Sequence, residues 1–530
     1  MKFVKYNLTS LLLTLVLALV TINCGGGATS STFSPPPPPP PSNLSITTSA
    51  LPNWMATFAY NQTIQASGGV APFVWNISSG SLPHGVTLAA STTNAVTVAG
   101  VPDTVETAVF SIQVKDAKNG SANQSYSVNI SKLVSAQVQQ VSGQAPAGVI
   151  EIQGLSAGPF NPESWQRNTL NWVPDVRIPM LAALTTGPNQ DIYAPWPLEQ
   201  PNGWRLFYGG WDGTNDFNDR VYSVTTPDFL SFANRTLVID HGAFTAVNNE
   251  SVQQLPDGSM HMISTVCCPD NLDKPAYFSS PDGATWNGSP EPYSAQLSDM
   301  VAISNDPAYG ASDFNGGNVL VRDNGAWTLY YSGNAEVSLA TTMSPPEFQR
   351  TGVALSTPNW ADGTPSWAND VKKFQVAGKS WYLMTLYVNL NVPNAPILSY
   401  SLSNDGIQFG PEQELFAGAF PQDQFLITPA FVTRGNQILG VLYGADSTSL
   451  IQAQDAIFAR WLQRKMVVTD GTGTQVAIQG GYGPDRQWIQ APLSGSLNAN
   501  VSVYAEDGIT PLGKGTVSLN AGQAYMLVLQ

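Results

Sequence analysis

From Leu44 onward the chain is written in short runs of alternating apolar and polar positions, separated by Gly, Pro, Asn and Asp. Thr57–Ile64, Phe73–Ile77, Val96–Gly100, Ala108–Val114 and Gln124–Ile130 all keep this period of two. Alternation of this kind buries one face of a strand and wets the other. The 3.6-residue period of an amphipathic helix is nearly absent. The five runs between residues 44 and 132 predict a β-sandwich of ordinary size.

Between Asp191 and Lys465 the chain repeats one pattern five times. A strand meets a Gly-containing turn, an aromatic or apolar strand follows, and the unit tends to close on a Ser-x-Asp turn. The first residues after the turn are Trp204, Met260, Trp327, Trp381 and Ile438, spaced 56, 67, 54 and 57 residues apart. A hairpin repeat of this length is one four-stranded blade, so residues 181–465 are expected to form a five-bladed β-propeller. Residues 133–180 are expected as linker and lead-in, with Ser135–Ala147 a polar linker. Ile150–Gly154 has the pattern of a strand, able to return and pair with the C-terminus. Residues 466–530 carry further strands, either a small sandwich or additions to the propeller.

Composition agrees with an exported all-β chain. Of 530 residues only 11% are charged, Gly and Pro number 46 and 40, and the net charge is −15. That balance argues against nucleic acid or an anionic membrane surface as partner, since both require clustered Lys and Arg. At the N-terminus a basic Met1–Lys5 precedes an apolar Leu11–Val20, too short to span a bilayer. Residues 1–23 with Cys24 resemble a bacterial lipoprotein signal, which implies a lipid on Cys24 and an outer-membrane or cell-surface location, the membrane being met through that anchor only. An ordinary signal peptide is the alternative. Residues 24–43 contain Pro35–Pro41, a polyproline II stalk. Cys267 and Cys268 are adjacent, either a vicinal disulfide or two small buried residues.

Gly68–Trp75, Leu82–Leu88 and Gly100–Thr104 make residues 44–132 resemble the Ig-like, cadherin-related module of bacterial surface proteins, a spacer or adhesive unit. The phrases Ser280-Pro-Asp-Gly-Ala-Thr-Trp286, Thr226-Pro-Asp-Phe-Leu-Ser-Phe232 and Ser403-Asn-Asp-Gly-Ile-Gln-Phe409, closing blades of a five-fold repeat, resemble those of the five-bladed family 43, 32 and 68 glycoside hydrolases. The fold class expected is therefore all-β: an N-terminal Ig-like β-sandwich, a five-bladed β-propeller and a small C-terminal β appendage.

The resemblance implies carboxylates around one axial funnel, serving as base or nucleophile and as acid. In that family acids open the inner strands of blades one, three and four. Asp370 fits the blade-four position. Blade one carries Ala194 there, with Asp191 three residues earlier, and blade three carries Gly317, with Asp313 four residues earlier. Blade two offers Glu250. Asp370, Glu250, Asp191 and Asp313 are thus the catalytic candidates, and Tyr193, Trp196, Trp211 and Asn318 the candidates to line the funnel and meet sugar. His241 and His261 are weighed as ligands of a central ion, with satisfied structural histidines the alternative; no cofactor is called, beyond the possibility of one structural calcium. Carbohydrate is the expected partner. Three functions remain: a surface glycoside hydrolase, a non-catalytic glycan-binding propeller, and an adhesive surface lipoprotein.

Overall fold

The computed structural model describes residues 44–187, 189–211, 218–242, 244–267, 273–287, 301–304, 306, 317–333, 336–356, 366–388, 397–447 and 455–530. Residues 44–131 form two four-stranded sheets. One orders Ser45–Ile46, Tyr60–Ser67, Ala95–Gly100 and Val86–Leu88; the other orders Trp54–Met55, Ser121–Ser131, Glu106–Lys115 and Val74–Gly80. The inward positions Ile64, Val96, Val98, Phe110, Ile112, Val128 and Ile130 are buried while their neighbours along the strand face outward, as the alternation requires.

The propeller follows as five sheets. Blade one is Asp191–Gln200, Gly203–Trp211, Arg220–Thr226 and Ala233–Ile239; blade two is Ala246–Gln254, Met260–Cys267 and Asp273–Ser280. Blade three is Val319–Asp323, Ala326–Gly333, Glu336–Thr342 and Glu347–Ser356; blade four is Ser366–Val376, Lys379–Val388, Ile397–Ser403 and Gln413–Ala417. Blade five is Phe425–Arg434, Gln437–Asp446 and Ala456–Leu462, completed on its outside by Trp172–Pro174. The inner strands touch in the cycle one, two, three, four, five and back to one, which makes a closed ring. Trp172–Pro174 pairs with Arg460–Leu462, so a strand from before blade one latches the last blade. Among the described residues blade two has three strands, and the next described strand, Ala302–Ser304, pairs parallel to Glu347–Gln349 at the edge of blade three.

The blade-closing turns explain their own sequence. In Ser403–Phe409 the Asp405 carboxylate accepts the N–H groups of Ile407 and Gln408, and Ser403 Oγ accepts that of Gly406. Gly406 has φ +72°, and a Cβ there would lie 2.9 Å from the Tyr382 ring, so the turn takes glycine. Ser280–Trp286 repeats the arrangement through Asp282. A short helix, Pro162–Arg167, is capped by Asn161, whose side chain accepts the Glu163 N–H. It carries Trp165 into the seam of blades four and five, with the ring 5.1 Å from Tyr400 and 5.8 Å from Phe431.

The expected linker Ser135–Ala147 is corrected. Ala136–Gln144 is a strand paired with Gln523–Leu529, and Val149–Gln153 runs between Gln523–Leu529 and Arg486–Gln490. With Ile478–Gly481 they make a five-stranded sheet, and Lys465–Asp470, Ser496–Tyr504 and Pro511–Asn520 make a three-stranded one. The shared core includes Ile150, Ile152, Val468, Val501 and Leu527. Ala136–Gln144 buries only its first residue, so its polar sequence carried no apolar stripe for a periodicity to find. The C-terminal unit is thus a sandwich built from both sides of the propeller.

Candidate functional site

The inner strands share a defect at the end where they begin, here called the upper face. The ladder of blade one slips between Tyr193 and Trp196, that of blade two between Asn248 and Ser251, that of blade four between Ala368 and Asp370, and that of blade five between Ile427 and Ala430. Pro195 and Pro429 have no N–H to give the ladder, which forces the slip locally. Ala194, Asn249 and Thr428 take φ of 50°, 50° and 48°. A β-branched Thr in that region is strained, and such strain marks positions that the surrounding structure holds in place. The kinks are stitched from blade to blade: Ala194 N–H donates to Thr428 Oγ1 at 2.9 Å, Leu320 N–H to Ser251 Oγ at 3.0 Å, and Phe431 N–H to Asp370 Oδ2 at 2.9 Å.

Asp191, Tyr193 and Trp211 lie together on one side of blade one. Asp191 and Trp211 are cross-strand partners, and Tyr193 faces Gly209. The Tyr193 hydroxyl donates to Asp219 Oδ1 at 2.5 Å and accepts from Asn248 Nδ2 at 2.9 Å, joining blades one and two. Asp191 is 3% exposed, and neither of its carboxylate oxygens completes a hydrogen bond among the described residues. Burial raises its pKa to about 7; the Asp455 N–H, close by but outside hydrogen-bond geometry, offsets part of the rise, and Asp219 and Asp446 add to it by like-charge repulsion. Asp455 is pushed well above the carboxylate range by burial and then by Asp191 and Asp446. Asp219, Asp446 and Asp455 thus each interact with Asp191 from neighbouring strand ends. Asp219, Asp446 and Asp455 were missed from the sequence because they sit at the ends of middle and outer strands, whereas the repeat directs attention to the inner ones.

The other candidates fall elsewhere. Asp370 is fully buried, accepts the Phe431 N–H, and has Lys372 Nζ 3.1 Å from its other oxygen. Burial raises its pKa, with Lys372 and the Phe431 N–H opposing. Lys372 Nζ also lies 4.0 Å from the Trp196 ring centroid, and Trp196 Nε1 donates to Val252 O. Trp196, expected at the funnel mouth, is instead 1% exposed within the core shared by blades one to four. Its indole is long enough to cross between blades, which an aromatic residue on an inner strand favours over solvent. Glu250 sits in the blade-two kink with both oxygens buried and without a hydrogen bond among the described residues. Burial drives its pKa well up, and it lies near enough to Tyr208 to raise that hydroxyl in turn, after burial itself. Thus Asp191, Tyr193 and Trp211 come together, whereas Asp370 answers to Lys372 and Glu250 to burial alone.

Blade three shows why its acid is missing. A Cβ on Gly317 would lie 2.5 Å from Ala368 O and 2.6 Å from Asn369 Oδ1, so blade four occupies the space that a side chain there would need. Asn318, next along, is buried and donates to Thr265 Oγ1 at 2.9 Å, between blades. Asp313, Cys24 and Cys268 lie outside the described residues; Cys267 is buried at the end of its strand.

The histidines are engaged. His241 Nδ1 lies 3.0 and 2.8 Å from the carbonyl oxygens of Gly242 and Phe244, and Nε2 lies 3.1 Å from Arg220 Nη2. His261 bonds Tyr277 and packs on Trp327 at the opposite end of its blade. Among the described residues no group of three His, Cys, Asp or Glu side chains is arranged to hold a metal ion.

A family model described as "Putative Ig domain" matches residues 44–131. No curated protein matches the chain in sequence. Among solved structures, one described as "Glycoside hydrolase" is 11% identical, covering 57% of this chain and 95% of its own, with a TM-score of 0.43. The catalytic domain of an α-L-arabinofuranosidase from Coprinopsis cinerea is 14% identical over 56% of this chain and 97% of its own, TM-score 0.40. A thermostable family-43 glycoside hydrolase is 13% identical over 54% and 93%, TM-score 0.35. The assignment of a propeller rests on the ring of sheets described above.

Proposed function

We propose that this chain is a glycan-active protein whose propeller hydrolyses a glycosidic bond at its upper face, with Asp191 as the proton donor. One observation carries the reading: a buried carboxyl with both oxygens unpaired among the described residues, raised to about 7, set among three further aspartates. Glycoside hydrolysis needs one carboxyl that keeps its proton near neutrality and a second carboxylate opposite it. Asp191 takes the first role. Asp446, which acts on both Asp191 and Asp455, takes the second by activating water. Tyr193 and Trp211, on the same side of the blade, supply sugar contacts. Asp370 and Glu250 are assigned to holding the ring.

The test is sugar release from arabinan, xylan, fructan and galactan fragments by the full chain and by Asp191→Asn. Turnover of at least one fragment that falls by two orders of magnitude or more in the variant is expected from loss of a general acid, worth roughly 10²–10⁴-fold. Turnover equal in both proteins removes Asp191 from the chemistry.

A second reading, a propeller that binds glycan without cutting it, draws on Ala194 and on the closed space at Gly317, where acids were expected. It predicts binding to one of the same fragments with no product. The reading of the N-terminus as a lipid anchor has its own check: Cys24→Ala moves the chain from the membrane to the soluble fraction.

A further inference from the structure

At the opposite, lower face the propeller meets the C-terminal sandwich, and between them lies a cavity of about 320 Å³. That volume is at the small end of ligand sites. Its walls include Trp204 and Asp228 from blade one, Arg434 and Gln437 from blade five, and Tyr482 and Arg486 from the sandwich. Arg434 lies over the Trp204 ring with its guanidinium carbon 4.3 Å from the centroid, and the indole is fixed beneath it by Nε1 donating to Thr433 O. The residue is exposed, and among the described residues its guanidinium makes no hydrogen bond or ion pair.

The other charges at the cavity are already engaged. Asp485 accepts the N–H groups of Gly154 and Ser156, one on each oxygen, and Asp228 accepts that of Leu230. Arg486 is bonded to Glu151 at 2.9 Å, and Glu199, on the inner strand of blade one, accepts the Gly435 N–H. Among the described residues at the cavity, the cation without a hydrogen-bond partner is Arg434, held flat on an indole with its donor edge available. A stacked guanidinium is oriented in advance to take a planar carboxylate through two parallel hydrogen bonds.

We propose that this cleft is a second glycan site, separate from the upper face, which takes a uronate residue of an acidic polysaccharide. Arg434 receives the carboxylate, and the Tyr482 hydroxyl and the Gln437 amide meet sugar hydroxyls. The site needs no catalysis and stands or falls apart from the reading of Asp191.

The experiment is calorimetric titration of the full chain with trigalacturonic acid, and with neutral galactotriose as the control, at low and raised salt. Wild type and Asp191→Asn are expected to bind the acidic trisaccharide alike, Arg434→Gln about tenfold or more weakly, which is 1.4 kcal/mol, and galactotriose far more weakly throughout. Arg434→Lys, which keeps the charge but loses the planar fork, should fall between. Melting curves that coincide for wild type and Arg434→Gln show that the loss is not unfolding. Equal binding by wild type and Arg434→Gln overturns the proposal, as does no binding at millimolar trisaccharide, or galactotriose binding as tightly as the acid. Binding lost in Asp191→Asn but kept in Arg434→Gln places the acidic sugar at the upper face and likewise overturns it.

Discussion

Asp191 is the residue on which most turns, and its burial gives it a thermodynamic signature independent of activity. Its folded pKa, about 7, stands above the unfolded value near 4. The folded state therefore holds a proton that the unfolded state has released between those values, and stability is lost as pH rises through that window. Asp191→Asn removes the titration, so the variant should gain in melting temperature relative to wild type as pH goes from 4 to 8. A difference that stays flat across that range would show that Asp191 ionises in the fold as it does in water. Asp370 should behave otherwise. Removing it as Asp370→Ala leaves Lys372 without its partner in a buried place, a change that costs about 3–5 kcal/mol, readable as a lower urea midpoint; a loss under 1 kcal/mol contradicts the structural role given to it. At this scale the sequence was a partial guide. Asp191, Tyr193 and Trp211 were visible because they open a strand or follow one in the repeat. Asp446 and Asp455 were not, because nothing local to a strand end says which distant strand end it will face. Trp196 was misplaced for a related reason: an aromatic on an inner strand reads the same whether it faces solvent or bridges blades.

Elements were more legible, since each has to satisfy its own backbone. The hairpin turns, the Ser-x-Asp closures and the apolar second strands are dictated locally, by N–H groups that Asp282 and Asp405 accept and by a φ that Gly406 permits. Signals that depend on what lies beyond the element were weaker. Ala136–Gln144 reads as linker because its hydrogen bonds, rather than a buried stripe, make it a strand. Ala302–Ser304 joins a neighbouring blade, which no hairpin rule anticipates. The helix Pro162–Arg167 is too short to be stable on its own and exists for the tryptophan it delivers. Trp165→Ala should therefore cost about 3–5 kcal/mol by cavity formation, measured as a shift in denaturant midpoint; a cost under 1 kcal/mol would show that the seam between blades four and five closes without it.

For the whole molecule the chain order carries the main consequence. The path runs through the Ig-like sandwich, lays two strands of the C-terminal sandwich, closes the last blade in advance with Trp172–Pro174, winds the propeller, and then finishes the sandwich. A chain ending at Arg464 leaves Ile150 and Ile152 without the sheet that buries them, and should aggregate or lose cooperative unfolding. A chain beginning at Ser135 loses the contacts of Phe58 and Lys514 across the boundary but keeps every strand of the propeller and second sandwich. It should melt as one transition close to that of the full chain. A soluble, cooperative protein ending at Arg464 would contradict this account of how the sandwich is assembled.

The most direct test of the central claim is the pH dependence of kcat/KM, in wild type and Asp191→Asn, on whichever fragment the proposed activity turns over. A proton donor with a pKa of about 7 predicts activity that falls as pH rises through that value, and a variant with at least a hundredfold lower rate and no such limb. A variant that retains both the rate and the limb would place the chemistry on another residue and contradict the account.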